Sequence, residues 1–193
     1  MTPTAMNVVF HALASFGLSH VAARDLPGEP STPRRDLRVI VPAFVAGVLS
    51  HGLLDGLKHG YPIPYAVDPP FALLLAVAWC ACVTRRYRLL VAVVFLGAVL
   101  PDLVDLGPGI ANRLFGWRLP ALHHHLFPWH WRDGSGSLYP SKGRRLFPCE
   151  ATLDGGDNQT VSITNHFIVV VLALLAIASN RTPFRRLAKT DSL

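Results

Sequence analysis

Apolar residues in this chain gather into long unbroken runs, not into the alternation of a half-buried strand or the narrow stripe of a soluble helix. The runs cover residues 6–23, 39–57, 70–84, 89–106 and 161–179. Most approach the roughly 20 residues that a helix needs to cross a hydrocarbon layer about 30 Å thick. The third holds only 15 residues, about 22 Å of helix, and crosses only if the bilayer thins or its flanks extend it.

Pro27, Gly28, Pro30 and Pro33 break the chain between the first two runs, and Pro62, Pro64 and Pro69 break it between the second and third. Arg85, Arg86 and Arg88 form a basic turn before the fourth, where Pro101 is expected to kink or end the helix. Residues 107–160 read as one long loop, with Trp117, Trp129 and Trp131 suited to a membrane interface and the stretch 132–160 expected to be mobile. The pattern predicts an all-α polytopic membrane bundle of about five helices, a single transmembrane domain over residues 1–193.

Composition supports the bilayer as solvent: 51% of residues are hydrophobic and 16% charged. The net charge of +6 does not point to nucleic acid, because the Lys and Arg residues sit in short clusters between apolar runs. With five crossings, eleven of these cations fall on one side (residues 24–38, 85–88 and the C-terminal tail) and seven on the other. The positive-inside rule makes the first side cytoplasmic, which puts the C-terminus inside and the long loop outside the cytoplasmic (inner) membrane. The first run has no basic lead-in or small-residue cleavage site and is expected to be a retained helix. Cys80, Cys82 and Cys149 form no zinc-like pair.

This threading brings ionisable residues to one depth. His11, His51, Asp102, Asp105 and His166 all fall within roughly 10 Å of the outer face at 1.5 Å per residue, and His123, His124 and His125 lie in the loop on that face. Ionisable groups inside a membrane are costly and mark function. His51 and Asp55 stand at i and i+4, Asp102 and Asp105 at i and i+3, so each pair shares a helix side. Imidazole with carboxylate suits a divalent first-row ion, zinc first, with manganese or iron as alternatives. His11, His51, Asp55, Asp102, His123 and His124 are the candidate ligands. A remaining carboxylate, Asp105 or Asp55, can act as general base or hold a ligand histidine by its second nitrogen, and Asp105 is the candidate base. His20, His59 and His130 read as structural or surface residues.

Gly47-Val48-Leu49-Ser50-His51-Gly52-Leu53-Leu54-Asp55, with Gly60 to Tyr65 downstream, resembles the Ser-His-x-x-x-Asp segment of the bacterial inner-membrane metal-dependent hydrolases. Leu100-Pro101-Asp102-Leu103-Val104-Asp105 is similar to that family's Leu-Pro-Asp-x-Asp segment, in reversed order along the chain, and His123–His125 loosely stand for its His-Arg-Gly-x-x-His-Ser element. The resemblance implies a multi-helix membrane protein with a divalent metal and hydrolytic activity. A site at an interface suggests a lipid-linked or phosphoester substrate among membrane lipids. The alternatives are an ion or proton transporter, a non-enzymatic metal-binding membrane protein, and a structural protein; the oligomeric state is left open.

Overall fold

The computed structural model describes residues 8–26, 33–55, 63, 67–120, 126–130 and 156–184. Among them are six α-helices and no strand: α1 (Val8–Ala22), α2 (Pro33–Asp55), α3 (Asp68–Cys82), α4 (Arg85–Asp105), α5 (Gly107–Phe115) and α6 (Gly156–Ser179). Single 3-10 turns follow at Pro128–His130 and Thr182–Phe184. Two helical stretches, Asp36–Asp55 and Arg85–Asp105, are long and apolar enough to cross a membrane; α1, α3 and the apolar part of α6 are shorter.

One sequence expectation narrows and another changes. Pro101 does not end α4, which continues to Asp105; an internal proline costs one ladder bond, but the packed helix carries on around it. Residues 107–160 are not one loop, since they contain α5, the turn at Pro128–His130 and the start of α6. Asn112 at the end of α5 bonds the returning chain in both directions, its side chain donating to Leu119 O (2.8 Å) and accepting from Leu119 N (2.7 Å).

The helices run up and down. At one end, Asp68 at the start of α3 accepts from the first free amides of α1, Val8 N and Val9 N (2.6 and 3.0 Å), a carboxylate on a helix N-terminus where the dipole favours it. At the other end, the His20 and Asn180 side chains bond each other's backbone across α1 and the end of α6: His20 Nδ1 to Asn180 O at 2.8 Å and Asn180 Nδ2 to His20 O at 2.7 Å. Thr84 N donates to Pro183 O there as well (2.9 Å).

The most intimate contact is between α2 and α4, and two glycines allow it. A Cβ on Gly47 would lie 2.6 Å from Val94 O, and one on Gly97 would lie 2.5 Å from Phe44 O. Only glycine lets the two backbones approach this closely.

Polarity is distributed the opposite way from a water-soluble bundle. Leu37, Val41, Val45, Leu49 and Leu53, every fourth residue of α2, are 46–60% exposed, while His11, Ser15, His51, Asp55 and Asp102 are buried. Such an apolar outer stripe is a liability in water and a normal surface in lipid.

Candidate metal centre

The start of α1, the ends of α2 and α4, and the 3-10 turn at Pro128–His130 meet at one end of the bundle and bury their polar groups against one another. His51, Asp55, Asp102 and His130 each offer a donor atom within 4.8 Å of the others, and all four residues are buried.

The two imidazoles present matching faces. His51 Nδ1 is 2.6 Å from Ala98 O, so this nitrogen carries the proton and Nε2 is left with its lone pair. The close α2–α4 approach brings the α4 backbone within reach of this α2 side chain. In the same way His130 Nδ1 is 2.9 Å from Asp105 Oδ2, which leaves His130 Nε2 as an acceptor. The two Nε2 atoms stand 3.2 Å apart, close enough to share one proton or one ion.

Both carboxylates close on these nitrogens. Asp55 Oδ2 lies 3.1 Å from His51 Nε2 and 3.2 Å from His130 Nε2; Asp102 Oδ1 lies 3.6 and 3.4 Å from the same two atoms. The edge of a tetrahedral coordination sphere with bonds of about 2.1 Å is roughly 3.4 Å. The separation between the two imidazole nitrogens and those between each nitrogen and each carboxylate bracket that value. Asp102 Oδ1 is also a buried oxygen without a hydrogen bond among the described residues. Anionic carboxylates are costly to bury without a compensating cation. The donor set of two imidazole nitrogens and two carboxylate oxygens therefore fits a small divalent ion.

The surroundings fix the donors. Asp105 accepts from Leu126 N (2.8 Å) and Phe127 N (3.0 Å) as well as from His130. One carboxylate thus anchors both the turn that carries His130 and the orientation of its ring. Gly52 makes room for that turn: a Cβ there would lie 2.6 Å from the Trp129 ring. His11 stacks on His51 with ring centroids 4.0 Å apart, and its Nε2 is 3.3 Å from Asp55 Oδ1. Asp55 thus has the His11 ring beside one oxygen and the Nε2 atoms of His51 and His130 beside the other.

Burial opposes a charge on His130, but its contacts with Asp102 and Asp55 outweigh that cost and raise its pKa to about 10. In the ion-free protein a proton on this ring supplies the missing positive charge.

Of the sequence candidates, His51, Asp55 and Asp102 enter this group, His11 stands beside it, and Asp105 lies behind His130 as the group that holds a ligand histidine's second nitrogen. His123 and His124 lie outside the described residues. His166 is at the same end of the bundle but packs against Phe10 (ring centroids 4.2 Å apart) instead of joining the four. His130, expected at the surface, is 2% exposed and supplies a donor. The signal for it was faint: Gly52 immediately after His51, and an aromatic neighbour, Trp129, that could cover it. No family model, curated protein or solved structure matches the chain.

Proposed function

We propose that this protein is a polytopic protein of the cytoplasmic (inner) membrane and a metal-dependent hydrolase that cleaves a phosphoester or lipid-linked substrate at the outer face, with its C-terminus in the cytoplasm. The observation that carries this reading is the meeting of two oriented imidazoles and two carboxylates at near-tetrahedral donor separations. The segments that resemble inner-membrane metal-dependent hydrolases, residues 47–55 and 100–105, contribute three of these four residues. The apolar outer stripe of α2 and the hydropathy of α2 and α4 support the membrane setting.

His51, Asp55, Asp102 and His130 would hold the ion, zinc by donor set or else manganese or iron. When bound, such an ion supplies Lewis acidity, easing the deprotonation of water and polarising a phosphoryl or carbonyl group. The chain's own residues do the rest. Ala98 O and Asp105 keep the two Nε2 lone pairs aimed inward, and His11 holds Asp55 in place. Asp102, whose side chain is 12% exposed against 1% for Asp55 and 0% for Asp105, is the carboxylate best placed to take a proton from an entering water.

Transport is the weaker reading. On the far side of Asp102 the buried face of α4 continues with Ala98, Val94 and Val91, all apolar and at most 1% exposed, which suits a site open to one side. The test is an assay of the purified protein in detergent with zinc or manganese, following phosphate release from a lipid monophosphate. The expected result is hydrolysis abolished by chelator and by Asp102→Ala. A protein that binds the ion stoichiometrically yet hydrolyses no phosphoester or lipid-linked ester would contradict the enzymatic reading.

A further inference from the structure

A groove of about 290 Å³ lies along the bundle between α2 and α6, floored by α1. α1 packs closely against both helices, whereas α2 and α6 meet each other sparsely, at Leu54 and Val169. Small residues keep the floor low. Ala14 and Gly17 line it, and a Cβ on Gly17 would lie 3.0 Å from Ala173 Cα, so the floor is sealed on the α6 side. The lining is apolar apart from Ser50, whose hydroxyl donates to Gly47 O at 2.7 Å. At the rim, Leu53 and Leu172 are each 60% exposed, which leaves the groove open sideways.

Its direction is set by the helices. The lining runs from Ala14 to Val21 on α1 and from Val169 to Ala176 on α6, about 10 Å along each axis. Its near end lies at the level of the metal centre, beside the packed Leu54 and Val169: Ser50 and Leu54 are chain neighbours of His51 and Asp55, and Ala14 is one turn past His11. From there it leads toward the end of the bundle that carries His20 and Asn180. A partner helix about 10 Å across would not enter a volume this small, whereas one hydrocarbon chain would.

We propose that this groove seats a single hydrocarbon chain of the substrate, aligned so that the polar head of that amphiphile lies at the His51–Asp55–Asp102–His130 centre. This rests on the hydrolase reading above and narrows its substrate to a membrane amphiphile bearing a phosphoester close to its chain. The apolar walls recognise length and flexibility of the chain, and the centre recognises the anionic head.

The test uses the full chain in detergent and lysophosphatidate as the probe, with a diazirine either at the chain end or next to the glycerol, and maps photo-adducts by mass spectrometry while metal content is measured on the same sample. Chain-end probe should label Gly17–Val21 and Leu172–Ala176, and glycerol-proximal probe should label Ala14, Leu53 and Leu54. Leu172→Trp, which fills the groove far from the metal donors, should lower the groove adducts about ten-fold, the effect of losing roughly two methylenes of apolar burial, with metal content unchanged. Labelling of Leu74 and Val77 on the outer face of α3 as strong as that of the groove overturns the proposal, as does labelling that ignores the probe's position or a groove occupied by a second copy of the chain. Even labelling with a stoichiometric ion would leave the metal centre standing and remove only the groove. Focused labelling without any bound ion would remove the hydrolase reading and leave a lipid seat.

Discussion

His51 Nε2 and His130 Nε2 face one another at 3.2 Å although the residues are 79 positions apart, and each ring's other nitrogen is committed to an acceptor. Two lone pairs do not hold this separation for their own sake, so a shared cation, proton or metal, is what makes it favourable. Replacing either ring with alanine should therefore lower bound zinc from about one equivalent to well below it, measured by plasma emission on purified protein. Unchanged zinc in His130→Ala would mean that the turn at Pro128–His130 contributes nothing.

Asp105 is a positioning residue and should behave as one. It accepts three hydrogen bonds, and an amide in its place would set an NH2 group against at least one of those donors. Asp105→Asn is expected to weaken metal affinity by about 10–100-fold while leaving the ion's coordination number unchanged. A competition titration against a chromophoric chelator measures the first, and the cobalt(II) spectrum reports the second. Full affinity in this variant would contradict the role.

The titration of His130 gives a pH prediction with a definite sign. Its pKa rises from 6.5 to about 10 in the folded, ion-free chain. The stability this proton adds is fully present below about pH 6.5 and is lost as pH climbs through 10. Ion-free protein should thus lose thermal stability across that window. A metal must displace the same proton, so its apparent affinity should rise about ten-fold per pH unit over the window. A metal affinity flat between pH 7 and 9 would show that no proton leaves this ring on binding.

Gly52 has a steric task that is separable from the chemistry. A side chain there must displace the Trp129 ring, which a Cβ would approach to 2.6 Å, and with it the turn that delivers His130. Gly52→Val should lower metal affinity by at least about ten-fold with only a modest effect on stability, since the cost falls on one turn and not on helix packing. Near-ultraviolet circular dichroism or tryptophan fluorescence changes without loss of metal would separate a moved Trp129 from a moved His130 and count against this link.

The sequence made the helices and the depth of the polar groups readable, because periodicity and helix rise are local rules. His51 and Asp55, four residues apart on α2, could be paired by spacing alone. Direction around each helix axis was not readable: His166 reaches the right end of the bundle yet turns to Phe10. His130 was missed because its burial depends on events remote in sequence. Asp105 must catch the amides of Leu126 and Phe127, and Gly52 must leave space for Trp129. The histidine triplet lies outside the described residues; among those described, the histidine that joins His51, Asp55 and Asp102 is His130, five residues past the triplet. The run 89–106 gave the continuation of α4 past Pro101, while the proline alone left open whether the helix kinks or ends there.

X-ray absorption at the zinc edge of the purified protein, wild type beside His130→Ala, tests the centre most directly. The account predicts nitrogen and oxygen donors at about 2.0–2.2 Å, imidazole scattering from two rings that falls to one in the variant, and no sulfur. Sulfur at about 2.3 Å, or a wild-type spectrum indistinguishable from that of the variant, would contradict it.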